Sequence, residues 1–273
     1  MEKRILLPTD FSDNSWNAIV YALKLHENEF CKFYFLNSIY TEVPAIKNKS
    51  INTIRDKAFN ELLELKDMAE NSDGNANHKF DVILSSKDLN TAIVDAVSKY
   101  TIDLIIMGTK GATRTEEFLF GTNVVHLINN VHMCPVLVIP EDFDFVNPKQ
   151  IAFSTDFNRF YSDQELDTLL RLADLYNSKI RIVHINVEEK LSDIQEYNLS
   201  VLKNYLKDYD YSFHWMPNYA NKCVEIKDFV SELDINMLAM VNYEHSFIEN
   251  LVKEPVIKNI SREPTVPFLV IPE

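Results

Sequence analysis

The stretch "ILLPTDFS", residues 5–12, returns as "IAFSTDFN" at residues 151–158, and "PVLVIPE" at 135–141 returns as "PFLVIPE" at 267–273. The phrases open and close two successive intervals in the same order, which marks an internal repeat. Between the copies, "EDFDFVNPKQ" (141–150) is a polar stretch with a proline and the natural boundary. The sequence therefore predicts two domains, residues 1–145 and 146–273.

Strands alternate with helices inside each interval. In the first, "KRILLPT" reads as a short buried strand, and Ser12 or Asp13 can cap a helix whose apolar stripe is Trp16, Ile19, Val20 and Leu23. "KFYFLNSIY" is a second strand, followed by a long helix carried by Ile51, Ile54, Ala58, Leu62, Leu65 and Met68. Strand "KFDVILSS", helix "LNTAIVDAVSKY", strand "DLIIMG", helix "TNVVHLINNV" and strand "PVLVIP" complete it. The second interval repeats the plan: "KQIAFST", a helix from Asp163 to Tyr176, "KIRIVHINV", a helix across 190–207, "YSFHWMP", helix "CVEIKDFVSEL" and the apolar strand "INMLAMV". Short apolar runs joined by helical crossovers predict parallel sheets covered on both faces. The expected fold is α/β: two tandem, doubly wound, five-stranded, Rossmann-like domains. Such sheets bind ligands beyond the carboxyl ends of their strands, where the strand order switches.

Forty-one acidic against 27 basic side chains give a formal net charge of −14, which argues against a phosphate-backbone binder and so against nucleic acid. Cys31, Cys134 and Cys223 are widely spaced, with no CxxC pair, as expected of a reduced cytoplasmic protein. The opening "MEKRILLPTDFSD" reads as neither signal peptide nor anchor, and no apolar run reaches membrane-spanning length.

The chain has four glycines where average usage predicts about 19, and three of them, Gly108, Gly111 and Gly121, fall inside "MGTKGATRTEEFLFGTN", residues 107–123. Two readings stand side by side. These can be turn glycines: one leaving a strand, one in a tight turn, one before a helix. Alternatively, Gly108 and Gly111 open backbone angles closed to other residues and let main-chain N–H groups approach a ligand. Gly121, Thr122 and Asn123 would then set amides and a hydroxyl at a helix N-terminus that favours an anion. Neither GxGxxG nor the Walker pattern is present.

The spacing G-x2-G-x9-G-[ST], filled by Gly108, Gly111, Gly121 and Thr122, resembles the ATP-binding signature of the universal stress protein family. So do "LLPTDFSDNSWNAIVYAL", "NTAIVDAVSKYTIDLIIMGTKG" and "NVVHLINNVHMCPVLVIP" around it, while "IAFSTDF" and "VPFLVIPE" extend the likeness to the second half. The resemblance implies an adenine nucleotide across the carboxyl edge of the first sheet. Pro8 would line the base pocket, Asp10 would lie near adenine and ribose, and main chain about Ser38 would meet the base. The family often has His-Val where Asn37 and Ser38 stand. Ribose and phosphates would fall to the glycines, Thr122 and Asn123, with any Mg arriving on the nucleotide. The resemblance further implies pairing of the two domains across their last strands as a pseudo-dimer within one chain, with a homodimer or unknown protein partners also open.

Aligning Met240 on Met107 puts Val241, Glu244 and Glu254 where the three glycines stood, so the second half is expected not to bind ATP in this manner. His126, His132 and His184 read as core or surface residues and Cys134 as core filler. No HExxH pair or GxSxG elbow occurs. Asp10, Asp13 and Glu42 could hold Mg only together with phosphates. No catalytic base or arginine finger can be named, which leaves rapid ATP hydrolysis unsupported. The expected function is regulatory adenine-nucleotide binding in a stress response, with one competent site in the first domain. The alternative is a nucleotide-independent scaffold of the same fold.

Overall fold

A computed structural model describes residues 2–40, 48–109, 122–186, 190–217, 222–243 and 266–273. The chain divides into two compact units, the first running from Met1 to Phe145 and the second beginning at Val146.

The first unit alternates β1 (Lys3–Pro8), α1 (Asp13–Leu25), β2 (Cys31–Ser38), α2 (Asn48–Asp73), β3 (His78–Ser85), α3 (Leu89–Tyr100), β4 (Leu104–Gly108), α4 (Thr122–Asn130) and β5 (Val136–Ile139). Its strands lie in the order β3-β2-β1-β4-β5, all parallel. Every residue of β4 and β5 is buried, as a strand covered on both faces requires. Ser12, not Asp13, caps α1: its hydroxyl accepts from Ser15 N at 3.2 Å. Asp88 caps α3 by accepting from Thr91 N at 3.0 Å.

The second unit runs β6 (Gln150–Ser154), α5 (Asp163–Tyr176), β7 (Lys179–Asn186), α6 (Asp193–Tyr205), β8 (Tyr211–Pro217), α7 (Lys222–Glu232), β9 (Met237–Asn242) and β10 (Phe268–Pro272). Its order is β10-β9-β6-β7-β8, again parallel. The register repeats as well. Ile5 faces Leu104 and Met107 faces Val138 in one unit; Ile151 faces Met237 and Met240 faces Val270 in the other. Ser162 and Ser192 start α5 and α6 with full capping boxes, closed by Glu165 and Gln195.

Two expectations need correcting. The buried face of α1 is built by Ser15, Ala18, Ile19, Ala22 and Leu23, while Trp16 and Val20 are only half-buried. On α2 the stripe is Ala58, Leu62, Leu65 and Ala69, whereas Ile54 and Met68 are exposed. Ala69, fully buried, continues the stripe in place of Met68. The stretch after β5, where the boundary falls, packs on α1. Tyr21 of α1 packs on the rings of Phe143 and Phe145, at centroid distances of 6.2 and 5.1 Å, and Asn17 Nδ2 donates to the Phe143 carbonyl at 3.3 Å.

Candidate functional site: the switch point of the first sheet

In the first sheet the order reverses between β1 and β4, since β1 is followed by β2 on one side and β4 joins on the other. The connections leaving the carboxyl ends of these two strands therefore run in opposite directions, at the point where doubly wound sheets take ligands. Pro8 ends β1 and is buried; Thr9 and Asp10 leave it; Gly108 ends β4. Ser38 ends β2, one strand away, and is half-buried.

The turn after β1 is held from within. Thr9 Oγ1 accepts from Phe11 N at 3.0 Å and meets Ser15 Oγ at 3.0 Å. Phe11 takes a left-handed φ of 63°. That conformation is costly for a bulky residue and persists only where its surroundings demand it. Asp10 is exposed, and its Oδ1 accepts from Ser12 N at 3.1 Å and Ser12 Oγ at 2.5 Å. From the neighbouring strand, buried Asn37 donates through Nδ2 to the Thr9 carbonyl at 2.8 Å. Ser38 donates to the Lys87 carbonyl at 2.6 Å.

Gly108 has a different reason for being glycine than the sequence suggests. Its backbone is ordinary strand, and a Cβ built there would lie 2.8 Å from the amide group of Asn14 on α1. The residue lets the start of α1 close on the end of β4. The chain's left-handed glycine among the described residues is Gly74, φ 59°, directly after α2. Gly111 and Gly121, with Lys110 and Arg114, lie outside the described residues, as does Glu42. Thr122 is the first residue of α4, and Asn123 beside it is exposed. The structure thus brings Pro8, Asp10 and Gly108 to one switch point, with Ser38 on the adjoining strand.

The second unit repeats the turn and packs larger side chains against it. Thr155 Oγ1 accepts from Phe157 N at 3.0 Å, Phe157 has φ 57°, and Asp156 Oδ1 accepts from Asn158 N at 3.0 Å. Buried His184 stands where Asn37 stands and bonds the Thr155 carbonyl through Nδ1 at 2.9 Å. It is a satisfied core histidine. The helix, however, starts four residues later relative to the turn, since its cap is Ser162 rather than a residue two past the aspartate. The added length carries Arg159 and Tyr161 over the strand ends. The Arg159 guanidinium lies 5.7 and 5.4 Å from the ring centres of Tyr161 and Tyr243, and pairs with Glu165 at 2.7 Å and Glu273 at 3.5 Å. Tyr161 OH meets Thr155 Oγ1 at 2.7 Å, in the place of Ser15. Tyr243, just past β9, donates to Asp156 Oδ2 at 2.5 Å; burial, then that carboxylate, push its hydroxyl pKa up. Sequence reasoning singled out none of Asn37, Asn14, Arg159, Tyr161 or Tyr243 for these contacts, although the extra "NRFY" was visible beside the repeated "TDF".

Among the remaining expected core residues, Cys134 is buried and burial pushes its thiol up to about 12, which leaves it inert. His126 and His132 are exposed. Among the described residues no helix is long and apolar enough to cross a membrane.

A universal stress protein of Methanocaldococcus jannaschii is 29% identical over 147 residues, covering 50% of this chain and 81% of that protein. The crystal structure of a universal stress protein from Archaeoglobus fulgidus covers 98% of each chain, with a TM-score of 0.76 at 18% identity, a likeness of fold. A functionally unknown protein from Pseudomonas aeruginosa PAO1 is similar over 99% of this chain and 92% of its own, with a TM-score of 0.56 at 12% identity. A model of the universal stress protein family matches residues 1–140, from the start of the first unit to the end of its last strand, and the chain belongs to that family.

Proposed function

We propose that the first unit binds one adenine nucleotide, ATP, at the β1/β4 switch point, and that the second unit does not. The observation that carries this reading is the contrast between two otherwise matching turns. One is closed by Arg159, Tyr161 and Tyr243; the other has Ser15, a small hydroxyl, at the corresponding place. Pro8 and Asp10 would meet base and ribose, main chain near Ser38 would meet the base edge, and Gly111, Gly121, Thr122 and Asn123 would take the phosphates. A Mg ion would come with the phosphates and keep several waters. Binding would change the loop at 108–122 and with it the surface offered to a protein partner, which is the regulatory role proposed.

The test is isothermal titration of the nucleotide-stripped chain with ATP and Mg, repeated on Gly121→Val and on Asp10→Ala. One ATP per chain, lost in Gly121→Val and weakened in Asp10→Ala, supports the proposal. One observation favours a second reading, a nucleotide-independent scaffold: packing against Asn14 already accounts for Gly108. No heat and an unchanged melting temperature would select the scaffold.

A further inference from the structure

We propose that the corner between α1 and β2 is a binding site for a zinc-class divalent cation, with His26, Glu29 and Cys31 as its donors. These residues lie within six positions of sequence, around the turn that leaves α1 and enters β2. One ring nitrogen of His26, a carboxylate oxygen of Glu29 and Cys31 Sγ lie within 4.8 Å of one another. His26 and Cys31 are fully buried, and Glu29, whose side chain is 30% exposed, forms the opening to solvent.

A second, independent feature points to a ligand. His26 Nδ1 contacts Glu29 Oε2 at 2.6 Å, while its Nε2 is buried and has no hydrogen-bond partner among the described residues. A buried polar atom left in that state carries a desolvation cost, which an ion taken up through Nε2 would relieve. The main chain of His26 is also held in place. His78 reaches Asp73 Oδ2 through Nδ1 at 2.7 Å and the His26 carbonyl through Nε2 at 3.0 Å, which anchors the backbone of the donor.

Imidazole, thiol and carboxylate together are a zinc donor set; magnesium and calcium would seek oxygens alone. Three protein donors leave a fourth position, on the Glu29 side, for water. Coordination forms one S–metal bond and breaks the Cys31 S–H bond, whose proton leaves to solvent; burial pushes this thiol up to about 12, a cost that the bond to the metal has to offset. Lys3 opposes the cation, because its ammonium stands 3.8 Å from Glu29 Oε2. The site lies at the amino edge of the first sheet, opposite the switch point, so it is independent of the nucleotide proposal.

The experiment is a cobalt(II) titration of the full chain carrying Cys134→Ala and Cys223→Ala, which leaves Cys31 as its thiol. Expected is a thiolate-to-cobalt absorption band that saturates at one ion per chain and disappears on adding zinc. Cys31→Ser should abolish the band, Glu29→Gln should weaken binding about tenfold, and Lys3→Met should tighten it. Absence of the band from a chain with native circular dichroism would overturn the proposal, and so would its survival in Cys31→Ser. If Cys31→Ser does not fold, Glu29→Gln decides at a partly exposed position: unchanged cobalt affinity there would also overturn the site.

Discussion

A methyl group at Gly108 would press on Asn14, and the cost of such overpacking is typically about 1–3 kcal/mol. Gly108→Ala is therefore expected to lower stability by that order in urea unfolding, and Asn14→Ala in the same chain should recover part of the loss; strictly additive effects would mean that the two do not touch. Asn37 and His184 form a second pair of residues whose meaning depends on the repeat. Each bonds the carbonyl of the threonine that begins its turn. Asn37→Leu strands a buried carbonyl, at about 1–3 kcal/mol, and should weaken ATP binding along with stability. Asn37→His, which copies the second unit, should retain more of both than Asn37→Leu. Equal losses in the two variants would show that the bond to Thr9 does not matter. His214, half-buried between Ser212 and the ring of Phe229, gives a dependence on pH. Burial, then Arg181, hold its pKa below the ordinary 6.5, so the unfolded chain takes up a proton before the folded one does. Its contribution is present above pH 6.5 and falls as pH drops below it. In His214→Gln the slope of stability against pH below 6.5 should flatten.

Among the elements, α2 separates a true core position from an apparent one. Leu62 is fully buried, and Leu62→Ala should cost about 2–5 kcal/mol. Met68 is 45% exposed, and Met68→Ala should stay within about 0.5 kcal/mol. Denaturant midpoints of the two variants would check both. This pair also shows what periodicity can decide. Steps of three and four residues are equally helical, so from Leu65 the stripe could continue to Met68 or Ala69, and the larger apolar side chain drew the reading while close packing chose the smaller. Strand identity and order of elements were legible because buried parallel strands are nearly continuous apolar runs and the first and last strands of the two intervals carry matching phrases. The contacts that shape the two crevices were not. Asn14 against Gly108, Asn37 against Thr9, and Tyr243 against Asp156 each join residues that only the folded crossovers bring together. Gly111, Gly121, Lys110 and Arg114 lie outside the described residues, and their part rests on spacing and resemblance alone.

For the molecule as a whole, the proposal makes the two units unequal in ligand linkage. ATP at a hundred times its dissociation constant should stabilise the binding unit by about 2.7 kcal/mol. Hydrogen exchange on the full chain would then slow at the ends of β1 and β4 and stay unchanged at the ends of β6 and β9. Slowing at both pairs of strands would mean that the second crevice also takes nucleotide. The strand order that creates the crevice has a consequence in time as well. β1 finds one neighbour in β2 soon after it is made, but its other edge waits for β4, about a hundred residues later in the chain. At about 5–20 residues per second on the ribosome, that edge stays unpaired for roughly 5–20 s. The second unit repeats the wait, since Ile151 of β6 meets Met237 of β9. A nascent chain of this protein therefore passes twice through an open-edged intermediate, and those two intervals are when a ribosome-bound chaperone has most to protect.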